Sequence, residues 1–144
     1  MRDRTRALRW AVVLVGLDPV EGHEQAGQRP VLVVSYEPFH QLGVMTVVPI
    51  TSARTSPRLP GDVALSEGEA GLSRPGILVC SQVRTISVLR IVADRVIAGG
   101  PRYITSPAIR AEVRDALAHH LGLDVRPELD GAEGTAQFRN QDVG

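Results

Sequence analysis

A chain of 144 residues has the usual length of one domain and can bury a core of moderate size. Its hydrophobic fraction of 43% is ordinary for a globular protein, and no apolar run approaches the roughly 20 residues that a membrane-spanning helix needs. The basic segment 1–10 is followed by a poor signal-peptide core with no small-residue cleavage site. We therefore expect a soluble, cytoplasmic protein with no membrane partner.

The formal net charge is zero but unevenly distributed. Residues 124–144 contain five acidic residues and two arginines, so the rest of the chain carries a net charge of +3. All sixteen basic side chains are arginine, whose planar guanidinium binds phosphate well, which permits a nucleic-acid partner without requiring one. Cys80 is the only cysteine, which excludes an intramolecular disulfide, and its setting "GILVC" predicts a buried thiol.

Short apolar or β-branched runs bounded by Gly, Pro, Asp and Ser predict strands. These runs are Ala11–Leu17, Val31–Ser35, Val44–Ile50, Asp62–Leu65 and Gly76–Val83, with a weaker one at Arg90–Ile97. Their spacing favours a small β-barrel. The segment "TSARTSPRLPGD" between the third and fourth strands is rich in proline and arginine, and we expect it to form an exposed, mobile loop.

One helix is predicted near the end of the chain. Ser106 is a suitable N-cap, and Pro107 occupies the first helical position, where its missing N–H costs nothing. An apolar stripe recurs every fourth residue until Gly122 offers a C-cap; its members are Ile109, Val113, Leu117 and Leu121. This stripe is expected to pack on the barrel. From about Asp124 the sequence is polar and acidic, and we expect disorder over 124–144.

Several candidate sites fail on spacing. His119 and His120 are adjacent, so on a helix their side chains diverge by about 100° and do not form a zinc-binding face. His40 lies in a predicted turn with no carboxylate or cysteine at ligand spacing. The chain has no phosphate-loop or dinucleotide-binding pattern. The sequence therefore indicates neither a metal site nor a nucleotide cofactor.

Polar residues gather instead at the ends of three apolar strands. They lie in "LDPVEGHEQAGQRPVLVVS", "VPITS" and "CSQVRTI", and a barrel brings such strand ends together. In this order and at these intervals, the motifs resemble the MazF/PemK family of toxin endoribonucleases. The resemblance runs roughly from Arg9 to Leu123, which divides the chain into a basic extension (1–8), a MazF/PemK-like domain (9–123) and an acidic tail (124–144).

The resemblance implies a mainly β, α+β fold: a small SH3-like barrel with a C-terminal helix packed on it, of the type shared by MazF and CcdB. It implies a homodimer that holds single-stranded RNA in a groove. It also implies cleavage without a metal ion, in which the RNA 2′-OH attacks the adjacent phosphate to leave a 2′,3′-cyclic phosphate and a 5′-OH.

The family's catalytic arginine corresponds to Arg29 in "GQRPV", and its catalytic threonine to Thr51 in "PITS". Arg29 would stabilise the charge of the phosphorane, and Thr51 would donate a hydrogen bond to a phosphate oxygen. Glu24 matches a position near the RNA, and we hypothesise that it is the general base. Imidazole is intrinsically suited to proton transfer, but His23 lies in a loop, where histidines are usually only solvated.

The remaining predicted RNA-binding residues are His23, Gln25, Ser52, Arg54, Arg58, Gln82 and Arg84. Strand alternation would place Gln82 and Arg84 on one face, although structural roles for both are equally open. The family is controlled by an antitoxin whose acidic, flexible C-terminal segment occupies the RNA groove. Arg54 and Arg58 would attract such a segment, or would only keep the loop soluble.

Three positions that are commonly polar in the family, Ala11, Gly16 and Ser81, depart from its pattern. The family usually has Arg-Gly-Asp or Arg-Gly-Glu where this chain has Arg9, Trp10 and Ala11, and Gly16 and Ser81 replace residues that are commonly polar or acidic. Two alternatives to a nuclease stay open, one because the barrel is shared with other toxins and one because of these departures. One is a CcdB-like toxin that binds DNA gyrase and cleaves nothing, and the other is an inactive copy that still binds antitoxin.

Overall fold

The computed structural model describes residues 7–17, 22, 27–52, 59–92 and 102–131. Within these ranges the chain forms seven strands and one α-helix. In chain order they are β1 (Ala11–Gly16), β2 (Gln28–Val33), β3 (Val44–Ser52), β4 (Asp62–Leu65), β5 (Gly76–Val79), β6 (Arg84–Ser87), β7 (Arg102–Tyr103) and α1 (Pro107–His120). No helix in the described ranges is long and apolar enough to cross a membrane.

All strand pairs are antiparallel, and the sheet order is β4-β5-β3-β2-β1-β7, with β6 also paired to β3. The nine-residue strand β3 has three partners. Its first residues pair with β6, its middle with β2 and its last three with β5. A strand that changes partner along its length bends the sheet, which here curls into a half-barrel. The predicted small β-barrel with a C-terminal helix is confirmed.

Both faces of the sheet are buried, which is why the strands read as continuous apolar runs rather than as alternating ones. The cluster on the α1 side includes Val12, Leu32, Val48, Leu78, Cys80 and Val113. The cluster on the opposite face includes Val13, Val31, Val33, Met45, Val47 and Ile86. Neighbouring residues of one strand thus serve two cores, and the predicted burial of Cys80 is confirmed.

Helix α1 begins as predicted. The Ser106 hydroxyl accepts a hydrogen bond from the Ile109 N–H at 3.3 Å, and Pro107 occupies the first turn. Gly122, just past the end, adopts the left-handed conformation expected of a terminating glycine. The apolar stripe is shorter than predicted, because Leu121 is already the C-cap residue and its side chain is 61% exposed.

The predicted strand Gly76–Val83 is wrong in its second half. β5 ends at Val79, residues Cys80–Gln82 form a 3₁₀ turn, and β6 starts at Arg84. The break is needed because β5 pairs with the last residues of β3 whereas β6 pairs with the first. Gln82 and Arg84 consequently do not share a strand face.

Other predicted boundaries are only partly within the described residues. β2 starts at Gln28, three residues before the predicted strand. In the predicted strand Arg90–Ile97, Ile91 forms a single bridge with Val15, and residues 93–97 lie outside the described ranges. Residues 53–58 of the predicted loop, 1–6 of the extension and 132–144 of the tail also lie outside the described ranges. Pro127–Leu129, at the start of the tail, is an exposed 3₁₀ turn.

Trp10 joins the N-terminal segment to β1 in a conformation unusual for a large side chain, with φ of +68°. Left-handed backbone costs a residue with a Cβ atom about 1–2 kcal/mol. The backbone is fixed from both sides, since the Trp10 N–H donates to the Val33 carbonyl at 2.7 Å and its carbonyl accepts from the Ile104 N–H at 2.8 Å. The buried indole lies 5.5 Å from the Arg9 guanidinium and 5.2 Å from that of Arg110, contacts that stabilise it.

The Glu37 carboxylate links the backbone of the N-terminal segment before Trp10 to the 3₁₀ turn Glu37–Leu42. It accepts hydrogen bonds from the Leu8 N–H at 3.0 Å and the Arg9 N–H at 2.9 Å. His40 Nδ1 lies 3.3 Å from an oxygen of Glu37, three residues earlier, so the expectation of no carboxylate at ligand spacing from His40 was wrong. Burial acts to raise the pKa of Glu37, but the two N–H donors and His40 outweigh it, and the pKa lies below its ordinary value of 4.5.

Candidate functional site

A groove of about 530 Å³ opens where β2 and β3 diverge. Its lining comes from β2, from the end of β3 and from the loop that precedes β5. The lining residues are Gln28, Arg29, Pro30, Ile50, Thr51, Ser52, Leu72, Ser73, Arg74, Pro75 and Gly76. The structure therefore brings together three of the predicted site residues, namely Arg29, Thr51 and Ser52.

Strand register explains why Arg29 and Thr51 share this groove. β2 and β3 pair with Val31 opposite Pro49, and residues directly opposite each other have their side chains on the same face. Arg29 lies two residues before Val31, and Thr51 lies two residues after Pro49. Because side chains alternate along a strand, both return to that face. Arg29 is still held in the sheet by its pairing with Val15 of β1.

The end of β3 is held by β5, because Thr51 pairs with Ile77 and Ser52 with Gly76. At Gly76 the two strands approach very closely. A Cβ atom there would lie 3.0 Å from Ile50 Cγ2 and 3.3 Å from the Thr51 carbonyl oxygen. The absence of a side chain thus lets the loop 72–75 lie directly beside Thr51, where it forms one wall of the groove.

This loop supplies a residue that the sequence analysis missed. Arg74 lines the groove together with Arg29, and its side chain is exposed. Arg74 lies in none of the three motifs in which polar residues gather at strand ends. The available signal was "SRPG", a basic residue placed just before the proline and glycine that lead into β5.

The lining is positively charged. Two of the groove residues are arginines, and none of the lining residues among the described parts of the chain is acidic. Guanidinium groups bind phosphate in a bidentate manner, and the Thr51 and Ser52 hydroxyls add donors of the kind that phosphate oxygens accept. The groove is therefore suited to an anion, and its polar donors are suited to stabilising negative charge on phosphate oxygens.

The other predicted site residues do not line the groove or cannot be placed. Gln82 ends the 3₁₀ turn that follows β5, and Arg84 pairs with Val47, which precedes Thr51 by four residues on β3. His23, Glu24, Gln25, Arg54 and Arg58 lie outside the described residues. Among the described lining residues no carboxylate or imidazole is available as a general base.

The remaining reactive side chains lie elsewhere. His119 Nδ1 is 3.0 Å from an Asp124 oxygen in an exposed pair at the end of α1. Burial, with a smaller contribution from Asp62, raises the pKa of Cys80 to about 12, so its thiol is inert at neutral pH. Within the described ranges no group of three or more His, Cys, Asp or Glu side chains is arranged to hold a metal ion.

Comparison with known proteins gives consistent relatives. A family model described as the PemK-like, MazF-like toxin of type II toxin–antitoxin systems matches residues 8–121. The chain is 38% identical over 89 residues to the endoribonuclease PemK of Escherichia coli. The aligned region covers 61% of this chain and 66% of PemK. It is 40% identical over 86 residues to the endoribonuclease toxin ChpB of Escherichia coli strain K12. Here the aligned region covers 59% of this chain and 73% of ChpB. These names support endoribonuclease activity.

Solved structures show the same fold. The crystal structure of MazF (form I) from Deinococcus radiodurans matches with a TM-score of 0.62 and 28% identity, over 79% of this chain and 94% of that one. An endoribonuclease in complex with its cognate antitoxin, from a mycobacterial species, matches with a TM-score of 0.62 and 21% identity, over 84% of this chain and 100% of that one. The predicted MazF-like fold is confirmed.

Proposed function

Because the chain belongs to the family of PemK-like and MazF-like toxins of type II toxin–antitoxin systems, we propose that it cleaves single-stranded RNA in the cytoplasm without a metal ion. The observation that carries the proposal is the placement of Arg29 and Thr51 in one groove, on the same sheet face. The endoribonuclease names of PemK and ChpB support the same activity.

In the proposed reaction the 2′-OH of a ribose gives up its proton and its oxygen bonds to the adjacent phosphorus. The bond from phosphorus to the 5′-oxygen then breaks, and that oxygen takes up a proton. The products are a 2′,3′-cyclic phosphate and a 5′-OH, so no water is consumed in this step. Negative charge grows on the non-bridging oxygens, where a fixed cation lowers the barrier most.

Arg29 is proposed to stabilise the negative charge on the non-bridging phosphate oxygens. A guanidinium keeps its proton in proteins, so Arg29 serves as an electrostatic clamp rather than as a base. Thr51 donates its hydroxyl to a phosphate oxygen, and Ser52 assists from the next position. Glu24 is proposed as the base that accepts the 2′-OH proton, with His23 and Gln25 beside the RNA in the same loop. Gln82 and Arg84, which are not among the groove-lining residues, are proposed to contact RNA beyond the groove. Arg54 and Arg58 are proposed to bind RNA phosphates.

The three departures from the family pattern do not weaken this proposal. Ala11 is fully buried in the apolar cluster on the sheet face opposite α1, so the position serves packing. Gly16 and Ser81 are likewise absent from the groove lining. The proposed catalytic pair Arg29 and Thr51 is retained, which favours an active nuclease over an inactive copy or a CcdB-like toxin.

An antitoxin partner is part of the proposal. A mycobacterial relative of the same fold has been solved in complex with its cognate antitoxin. The groove of this chain offers two arginines and no acidic lining residue among those described, which suits an acidic, flexible segment as well as RNA. We propose that RNA and antitoxin compete for the groove, and that the toxin acts as a homodimer.

The direct test is cleavage of a single-stranded RNA by the purified protein in EDTA, with the same RNA annealed to its complement as the control. We expect the single strand to be cut, the duplex to stay intact, and the new ends to be 2′,3′-cyclic phosphate and 5′-OH. A requirement for divalent metal, or products with 5′-phosphate ends, would reject the chemistry. Intact RNA together with preserved antitoxin binding would identify an inactive copy.

A further inference from the structure

We propose that Arg74 is a second phosphate-binding residue, which holds the RNA phosphate next to the one that Arg29 contacts. The inference rests on the proposed function, since it concerns the same groove and the same substrate. Neither the motif resemblance nor the polar strand ends pointed to Arg74. The assignment comes from the packing of β5 against β3, which makes the loop 72–75 a wall of the groove.

The backbone on both sides of Arg74 is anchored. Leu72 packs against the apolar cluster on the α1 side, and its N–H donates to the Glu69 carbonyl at 2.9 Å. On the other side, Gly76 is pressed against Ile50 and Thr51. Pro75 follows directly and restricts Arg74 to extended backbone. The exposed Arg74 side chain therefore starts from a fixed point beside Thr51, which lowers the entropy lost when it binds a ligand.

The size and charge of the groove call for a second cation. At about 530 Å³ it falls within the range of pockets that hold a whole small ligand, so more than a single phosphate fits. A strand of RNA that enters it carries one negative charge per nucleotide. Arg29 on β2 and Arg74 on the opposite wall are the two cations of the described lining, and they come from different elements. Two guanidinium groups in one groove match two successive phosphates, the cleaved one and its neighbour.

The simpler view is that Arg74 is a solvated loop arginine, which is the common fate of exposed charges. The two views differ in salt dependence. A phosphate contact to single-stranded nucleic acid contributes about 0.7 to the slope of log affinity against log salt, which corresponds to about fivefold in affinity at 0.1 M salt. A solvated arginine outside the binding surface contributes nothing comparable.

The experiment measures affinity for a 2′-O-methyl oligonucleotide, whose blocked 2′-oxygen prevents attack, in a sequence that the wild type cleaves as unmodified RNA. Titrations between 0.05 and 0.5 M salt compare wild type, Arg74→Ala, Arg74→Lys and Arg114→Ala. Arg114 is exposed on α1 and is the matched control. We expect Arg74→Ala to bind about fivefold more weakly at 0.1 M salt, with a slope lower by about 0.7, and to raise KM more than it lowers kcat. Arg74→Lys keeps the charge and is expected to keep the slope.

Circular dichroism of each variant shows whether the fold is intact. Arg114→Ala is expected to keep the affinity and salt slope of the wild type. If Arg74→Ala keeps them too, the role of Arg74 is overturned while the proposed function stands. If the wild type itself neither binds nor cleaves single-stranded RNA, the proposed function fails and the assignment of Arg74 fails with it.

Discussion

Gly76 and Thr51 approach so closely that a methyl group on Gly76 would stand 3.3 Å from the Thr51 carbonyl oxygen. The same methyl group would meet Ile50 Cγ2 at 3.0 Å. The contact fixes the distance between β3 and β5, and with it the position of the groove wall. The end of β3 that carries Thr51 is therefore positioned by a residue that performs no chemistry.

We predict that Gly76→Ala lowers the free energy of unfolding by about 1–3 kcal/mol, the usual cost of forcing an extra methyl group into a packed site. It is also expected to lower RNA cleavage, because the loop beside Thr51 is displaced. Gly16→Ala is the control, since a Cβ atom there meets nothing within 4 Å. Urea denaturation measures both variants. Equal stability of Gly76→Ala and wild type would show that the strands separate without cost.

Trp10 provides a test of backbone strain. Replacing it removes a buried aromatic side chain and two cation contacts, so both Trp10→Ala and Trp10→Gly are expected to lose about 2–5 kcal/mol. At φ of +68°, however, glycine escapes the strain that alanine keeps. The glycine variant is therefore expected to be the more stable of the two.

The control for Trp10 is Ala64→Gly at the exposed position of strand β4, where the backbone is not left-handed and glycine is expected to lower the free energy of unfolding by about 0.5–1 kcal/mol. Unfolding is followed by circular dichroism, because Trp10 is the only tryptophan. If Trp10→Ala proves more stable than Trp10→Gly, the left-handed conformation at this position is not the one that the protein adopts.

Glu37 makes stability depend on pH. The pKa of Glu37 in the folded chain lies below 4.5. Its contribution to the free energy of unfolding is therefore fully present above about pH 4.5 and is lost as the pH falls through the folded pKa. At pH 7, Glu37→Gln is expected to cost about 1–2 kcal/mol, a modest figure because the carboxylate is 40% exposed. Below pH 4 the difference from wild type is expected to shrink.

The pH series is run with Glu67→Gln as the control, because Glu67 is exposed and lies in a turn away from this network. Thermal unfolding at several pH values between 3 and 7 gives the comparison. A loss in Glu37→Gln that stays constant down to pH 3 would mean that the carboxylate charge does not hold Leu8 and Arg9.

Cys80 is expected to resist alkylation in the folded protein. With a pKa of about 12, its thiolate fraction at pH 8 is more than about a thousandfold below that of an ordinary cysteine, and the side chain is fully buried. Iodoacetamide labelling followed by mass spectrometry is expected to modify the unfolded chain in guanidinium chloride but not the native one. Rapid native labelling would contradict the burial of this thiol.

The sequence was sufficient for those features that depend on local patterns. The apolar runs of β1, β2 and β3 and the Ser106–Pro107 start of α1 carry their own signals, and all four elements were found. The continuous run "GILVCSQV" was misread as one strand. Nothing local reveals that β5 and β6 pair with opposite ends of β3.

For the groove, Arg29 and Thr51 were identified through motifs, and the β2–β3 register explains why they meet. Arg74 was missed because its position depends on the contact of Gly76 with Ile50 and Thr51, which is distant in sequence. The tie between Glu37 and Leu8 spans 29 residues and was missed for the same reason. Long-range packing, which no periodicity encodes, accounts for both omissions.

The central claim is that Arg29 stabilises the charge that develops on the phosphate. Its most direct test is the single-turnover rate of RNA cleavage by Arg29→Ala in EDTA, with Arg114→Ala as the control and circular dichroism to confirm folding. Loss of one transition-state donor typically slows an enzyme by about 10²–10³, and we expect Arg29→Ala to lose more than about tenfold while Arg114→Ala keeps the wild-type rate. A folded Arg29→Ala protein that cleaves RNA as fast as the wild type would contradict the account.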